Sequence, residues 1–284
     1  MIASLPRLVH SESSLQAMVP ALSASPPVAI MGVLNVTPDS FSDGGKFDAP
    51  DRALAQARRM IAEGADIIDI GAESTRPYGA EPVTAEEELR RLAPILSAVV
   101  ALGVPVSIDS MKSKVVAWAL DQGARIANDV WGLQRDPEMA GLVAERGVPL
   151  VIMHNRDGAD PALDIMKDIG EFFERSLEIA AKAGIPQNRL VLDPGIGFGK
   201  TPEQSMTALA RLQELRRFDL PLLVGASRKR FISAVTPSEP TERLGGSIAA
   251  HLLAVHNGAR IIRTHDVHET VQAIRVAAAI EDKR

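Results

Sequence analysis

From Val28 onward, short runs rich in Val, Ile and Leu alternate with longer stretches whose apolar residues recur at helical spacing. Alternation of this kind predicts βαβ units, and runs apolar at nearly every position predict parallel strands buried on both faces. Eight runs fit: Val28 to Asn35, Asp66 to Ile70, Pro105 to Asp109, Arg125 to Asn128, Pro149 to Met153, Leu190 to Asp193, Pro221 to Val224 and Arg260 to Arg263. Several are preceded by a glycine and one small residue, at Gly64-Ala65, Gly103-Val104, Gly123-Ala124, Gly147-Val148 and Gly258-Ala259. Glycine there suits the left-handed position just past a helix end, and its recurrence is a weak internal repeat. Eight such units predict a single-domain α/β protein, a closed (β/α)8 TIM barrel, over an open doubly wound sheet. The open sheet would bring a dinucleotide fingerprint, but after Gly195 and Gly197 its third glycine falls on Lys200. A last helix from about Val267 to Ile280 turns Val271, Ile274 and Ala278 toward the core and closes the ring.

In such a barrel the chemistry sits where strands end, because the loops there share one mouth. The residues ending the eight runs are Asn35, the segment Asp69 to Arg76, Asp109, Asn128, His154, Asp193, Ser227 with Lys229, and Arg263 with His265. Singly, each has a plain explanation: an aspartate after a strand caps the next helix, an asparagine makes a turn. Polar groups at nearly every strand end point instead to one convergent site. Asp109, Asp193, Asn128, Lys229 and Arg263 could ring a flat heterocycle with donors and acceptors on its edge. One of the aspartates would accept two N–H bonds from a cyclic amidine, and a guanidinium would stack on the face. Arg263 and His265 add positive charge suited to a phosphate or diphosphate.

Composition narrows the partners. The chain has 284 residues, 46% of them hydrophobic, a net charge of -5 and no cysteine. That is enough for one large core, offers no basic stripe for nucleic acid, and excludes disulfides and thiolate chemistry. The first 26 residues, rich in Ser, Ala and Pro, read as a mobile leader, with 27–284 as the barrel domain. The apolar run Met18 to Ala24 is short and carries Pro20, unlike a secretion signal, and no run reaches the ~20 apolar residues that span a bilayer. A cytoplasmic location is expected.

Other motifs fail their own tests. Asp193 to Thr201 has Pro194 where a phosphate-binding P-loop needs glycine. Its glycines suit a tight turn or close backbone approach. His251 and His256, five apart, share no helix face for a metal and read as packing or surface residues. Glu86, Glu87 and Glu88 start a helix, where carboxylates complement the dipole, and read as structural. Ser227 has no nucleophile elbow around it.

Two long stretches resemble signatures of the dihydropteroate synthase family: Met31 to Gly45 (MGVLNVTPDSFSDGG) and Gly64 to Pro77 (GADIIDIGAESTRP). Shorter matches follow in order at Ser107 to Ser110, Asn128-Asp129, Met153-His154, Asp193 to Gly195, Gly225 to Lys229 and Ile262 to Asp266, so the likeness runs from Val28 to the C-terminus. The resemblance implies condensation of 6-hydroxymethyl-7,8-dihydropterin diphosphate with p-aminobenzoate, giving 7,8-dihydropteroate and diphosphate in folate biosynthesis. It implies that Asp109, Asn128, Asp193 and Lys229 hold the pterin edge, that Arg263 stacks on its face, and that Asn35 ligates Mg2+. Asn35, Arg263 and His265 would hold the diphosphate. Phe41, Thr75, Arg76, Pro77 and Ser227 would surround p-aminobenzoate. Catalysis would rest on Asn35, Lys229, Arg263 and His265 by a dissociative route: charge stabilises the departing diphosphate, a pterin cation forms, and the arylamine attacks. No enzyme nucleophile is needed, in keeping with the search for one.

The family further implies a homodimer through barrel helices and competition by sulfonamides, because Phe41-Ser42 stand without an insertion. Four positions depart from its pattern: an extra Tyr78 before Gly79, Ser110 for threonine, Trp131 for a small residue and Thr264 for valine. The first two loops, rich in Gly and Pro, are expected to behave as lids. Competing functions are a corrinoid-dependent pterin methyltransferase, which the loop Asn35 to Gly45 and Ser227-Arg228-Lys229 disfavour, and a catalytically silent pterin-binding paralogue.

Overall fold

The computed structural model describes residues 19–23, 28–37, 49–73 and 83–283. Eight parallel strands close into a barrel in sequence order: β1 Ala29–Asn35, β2 Ile67–Gly71, β3 Val106–Asp109, β4 Ile126–Asp129, β5 Leu150–Met153, β6 Leu190–Asp193, β7 Leu222–Val224 and β8 Ala259–Thr264. Closure is made by β1 against β8, where Ala29 to Gly32 lie opposite Ile261 to Thr264. Six strands start one residue later than their apolar runs, and in three of them the cause is a proline. Pro105, Pro149 and Pro221 accept a bond from Ile68, Ala127 and Leu192 on the neighbouring strand but have no N–H to donate.

The outer layer comprises α1 Ala49–Ala62, α2 Ala85–Leu92, α3 Leu96–Val100, α4 Ser113–Asp121, α5 Met139–Arg146, α6 Ile165–Lys182, α7 Pro202–Ala210, α8 Arg230–Val235, α9 Leu244–His256 and α10 Val267–Glu281. The five glycines that precede strands all have positive φ, from 64° at Gly147 to 105° at Gly64, as helix-terminating residues should. In α10, Val271 and Ile274 are buried as expected, while Ala278 is only half-buried.

The strands are buried on both faces, and all but β3, whose inward residue is Ser107, contribute to two cores. The larger core lies between the strands and the helices. The smaller one fills the barrel and contains Ala29, Met31, Ile67, Ile126, Val151, Val191, Leu223 and Ile261, joined by Val19 and Leu22. The last two correct the expected boundary of the leader at residue 26. Residues Pro20–Ser23 form a 3-10 turn, Val19 and Leu22 are 1% and 4% exposed, and Arg260 Nη2 donates to the Leu22 carbonyl at 3.2 Å. The physical reason is that a closed barrel has an open apolar end that needs covering, and this short run carries two side chains of the right size. The rest of the expected leader lies outside the described residues.

Candidate active site

Strand periodicity selects the site. Side chains alternate between the barrel interior and the helix layer, so two residues beyond each interior core member is again an inward position. Stepping from Ile67, Ile126, Val191 and Ile261 reaches Asp69, Asn128, Asp193 and Arg263, and the same phase on β3 reaches Asp109 beyond Ser107. On β5 and β7 the step reaches Met153 and Gly225. One cavity at the mouth is lined by Asp109, Asn128, Met153, Asp193, Gly225 and Arg263, together with Val130, Ile196, Phe198 and Lys229 from the loops. The four pterin-edge residues expected from the sequence, and Arg263 expected on the ring face, meet there.

The floor is an ionic lattice. Arg263 donates from Nε to Asp69 Oδ2 and from Nη2 to Asp109 Oδ2, both at 2.7 Å. Asn128 Nδ2 reaches Asp69 Oδ1 and Oδ2 at 3.3 and 3.2 Å. Asp69, wholly buried, is therefore the hub that orients both the arginine and the amide, a role the sequence reading did not assign. The available signal was a carboxylate inside the apolar run Ile67 to Ile70. Turning its Nδ2 to Asp69 leaves Asn128 its carbonyl oxygen as the acceptor. Asp109 Oδ1 is buried with no hydrogen-bond partner, and such an acceptor is costly unless a donor arrives.

Burial raises the proton affinity of the Asp109 carboxyl, partly offset by Arg263, and pushes Asp193 up to about 6 against a bond from Gly195 N. Burial also brings the Lys229 ammonium down to about 8, with Arg263 adding to the effect. Burial opposes the charge of Arg263 as well, but Asp69 and Asp109 outweigh it and hold the guanidinium protonated. Lys229 Nζ stands 3.8 Å from the centre of the Phe198 ring, a cation resting on an aromatic face.

Lys229 and Ser227 flank Arg228, whose φ of 59° is left-handed. That conformation is held at three points: Arg228 N donates to Ser247 Oγ at 2.9 Å, its guanidinium pairs with Asp266, and Arg243 Nη1 donates to its carbonyl at 3.0 Å. Ser227 Oγ accepts from His265 N at 3.2 Å and lies 3.0 Å from His265 Nδ1. When the hydroxyl donates to Nδ1, the imidazole hydrogen stands on Nε2, free for a ligand. Burial, then Arg263 and Arg228, push His265 down to about 3. It is a neutral donor at physiological pH.

Asn35 ends β1, half-buried, and its side chain makes no hydrogen bond to a described residue. Among the described residues no cluster of three or more His, Asp or Glu could cage a metal, so a hard cation would find the Asn35 oxygen plus ligand and water. Phe41, Thr75, Arg76, Pro77 and Tyr78 lie outside the described residues, as do most of the two expected lids. Glu86 and Glu87 pair with Lys114 and with Arg90 and Arg91 on the helix exterior. Glu88 lies in the first turn as expected, and it is also fully buried and pairs with Lys112, which holds Glu73 at the start of the second loop. His251 is buried in packing and its Nδ1 lies 3.4 Å from Thr270 Oγ1.

A larger cleft of about 420 Å3 lies among α6 and the loops after β4 and β5, lined by Trp131, Arg135, His154, Arg156, Asp168 and Phe172. It holds none of the converging pterin-edge residues, so the smaller cavity is the site despite its size.

Comparisons with known proteins agree with the barrel fold. The pterin binding enzyme family matches residues 31–265. Over 278 residues the chain is 42% identical to the dihydropteroate synthase of Bacillus subtilis (strain 168), covering 98% of this chain and 95% of that protein. It superposes on a Clostridium difficile dihydropteroate synthase crystallised in the presence of pteroic acid with a TM-score of 0.86 at 46% identity, covering 89% of this chain and 96% of the other. The Xanthomonas albilineans enzyme with 4-aminobenzoic acid gives a TM-score of 0.86 at 43% identity, over 89% of this chain and 93% of that one.

Proposed function

The chain belongs to the dihydropteroate synthases, within the family of pterin binding enzymes, and from that premise we infer that it condenses 6-hydroxymethyl-7,8-dihydropterin diphosphate with p-aminobenzoate. The observation that carries the reading at this site is the buried, partnerless Asp109 Oδ1 in a cavity shared with Asp193, Asn128 and Lys229. A pterin edge presents N–H donors beside ring nitrogen and carbonyl acceptors, and it satisfies such a set in one plane.

The residues divide the work as follows. Asp109 and Asp193 accept from the ring, Lys229 and Asn128 complete its edge, and Phe198, Ile196 and Met153 exclude water around it. Arg263 presents its guanidinium, already fixed by two carboxylates, between ring and diphosphate, and His265 donates from Nε2 to a phosphate oxygen. Preorganised charge of this kind favours departure of the diphosphate without reorganisation at the moment of reaction. The C–O bond to the exocyclic methylene then breaks, the amine nitrogen forms the C–N bond in its place, and the amine releases one proton to solvent. When bound, Mg2+ would neutralise charge on the diphosphate. Asn35 is its one protein ligand in this reading, an arrangement that suits a cation keeping phosphate and water oxygens. Phe41, Thr75, Arg76, Pro77 and Ser227 are assigned to p-aminobenzoate by the family pattern alone.

We place the protein in the cytoplasm as a homodimer. Among the described residues the exposed large hydrophobics are Val235, Leu253, Val276 and Ile280, all on α8, α9 and α10, which supports pairing through that side of the barrel. No helix among the described residues is long and apolar enough to cross a membrane.

The test is a diphosphate-release assay with and without p-aminobenzoate and Mg2+, with light scattering for the assembly. Mg2+-dependent release with formation of dihydropteroate, inhibited by a sulfonamide in competition with p-aminobenzoate, is expected. Pterin binding without turnover would make the chain a silent paralogue. The same assay carries a pH prediction. Asp193 loses its acceptor as pH falls through about 6, and Lys229 loses its charge as pH rises through about 8. The profile of kcat/KM for the pterin substrate should therefore be a bell with those limbs, and a flat profile from about pH 5.5 to 9 would refute the assignment.

A further inference from the structure

The turn between β6 and α7 forms one wall of the pterin cavity through Ile196 and Phe198, and it is built from the least rigid residues available. Gly195, Gly197 and Gly199 have φ of 64°, 81° and 54°, left-handed conformations that cost glycine little strain but leave it the most freedom to lose. The turn also lies against other backbone: a Cβ on Gly195 would stand 2.0 Å from the His154 carbonyl oxygen, and one on Gly199 would stand 2.4 Å from Arg156 Cβ. Close packing explains the glycines and raises the question of what keeps them still.

Lys200 answers it. The side chain is buried at 6% exposure and does not line the cavity. Its Nζ lies 2.9 Å from the Gly195 carbonyl, 3.1 Å from the Phe198 carbonyl and 2.6 Å from His154 Nδ1. Three acceptors match the three N–H bonds of one ammonium. With Nδ1 accepting, the fully buried His154 carries its hydrogen on Nε2 and gives it to Asp168 Oδ2 at 2.9 Å. The other oxygen of Asp168 takes Arg156 Nη1 at 2.8 Å. Asp168 sits in the first turn of α6, so a chain of three side chains, with Arg156 bracing its last member, ties a glycine-rich turn to a long helix.

We propose that Lys200, backed by His154 and Asp168, is a positioning residue for pterin: it clamps the 194–199 turn and so fixes Phe198 and Ile196 against the ring. The inference rests on the pterin reading of the cavity given above. The clamp extends to Lys229, because a Cβ on Gly197 would lie 3.2 Å from Lys229 Cδ and the Phe198 ring lies beneath the Lys229 ammonium. A released turn disturbs one wall and one edge of the pterin site together. On the β7 and β8 loops, Ser227 and His265 are held by each other, and Arg228 by Asp266, without it.

Two measurements on the full-length protein separate this proposal from the reading beneath it. In hydrogen exchange without ligand, Lys200→Met should speed exchange of the 195–199 amides at least about ten-fold while the barrel strands keep their protection. In steady-state assays the same variant should raise KM for the pterin diphosphate about ten-fold or more and leave KM for p-aminobenzoate within about two-fold. Asp168→Asn, which keeps the shape of the chain, should move both readouts the same way by less. Unchanged exchange in the turn, or equal loss of both substrates, overturns the clamp. A wild-type protein that makes no dihydropteroate brings down the pterin reading and with it the consequence for pterin, while the exchange result still decides the clamp itself.

Discussion

Arg263→Leu is expected to lower kcat/KM for the pterin substrate about a thousand-fold and to weaken the fold as well. The guanidinium is the shared partner of Asp69 and Asp109. Its removal strands two buried carboxylates, a situation that costs about 3–5 kcal/mol when one member of a buried ion pair is deleted. Some of that cost is recovered because Asp109, already raised by burial, can take up a proton. Doing so removes the acceptor that the pterin needs, so the rescue of stability deepens the loss of activity. Arg263→Lys keeps the charge but lacks the fork that reaches both carboxylates, so it should fall between wild type and Leu. Steady-state kinetics and urea unfolding together check this. A Leu variant within ten-fold of wild type would show that the lattice does not organise the site.

For Asp109→Asn the expected result is a pterin dissociation constant raised about a hundred-fold, with a much smaller change in melting temperature. The carboxylate accepts on both sides: Oδ2 from Arg263 Nη2, and Oδ1, which is buried and partnerless, from the ligand. An amide has one oxygen and one NH2. Whichever way it turns, it sets its NH2 against a donor, either the guanidinium or the pterin N–H. The swap is nearly isosteric, so a loss of affinity cannot be ascribed to a cavity. Calorimetric titration with pteroate measures it, and a change of less than about three-fold would remove Asp109 from the pterin edge.

The strands and their closure into a ring were legible because each apolar run is short and separately punctuated, and five of the eight are preceded by a glycine that the structure holds left-handed. Asp109, Asn128, Asp193 and Arg263 were legible because they stand at strand ends in the inward phase. Asp69 stood among the strand-end residues only as the start of the segment Asp69 to Arg76, and its hub role escaped assignment because its partners Asn128 and Arg263 lie 59 and 194 positions away. Lys200 was read as a missing glycine of a nucleotide motif. Its role depends on His154 and Asp168, 46 and 32 positions away, and no local pattern marks that meeting. Val19 and Leu22 were invisible for a related reason. Two apolar residues in a Ser/Pro-rich stretch carry no period, and only the shape of the barrel end gives them a place.

Those two residues also bear on how the chain reaches its fold. The carbonyl of Leu22 takes its bond from Arg260, 238 positions later, and β1 completes its pairing only with β8. During synthesis the first strand and the run that stops the barrel end are made long before their partners. Loop closure over such a span costs entropy before any contact repays it. The half-made chain therefore leaves the ribosome with an unpaired edge at β1 and an uncovered apolar bore, both sticky surfaces. Productive folding has to await the last thirty or so residues, and shortening the C-terminus should harm yield through aggregation before it harms chemistry.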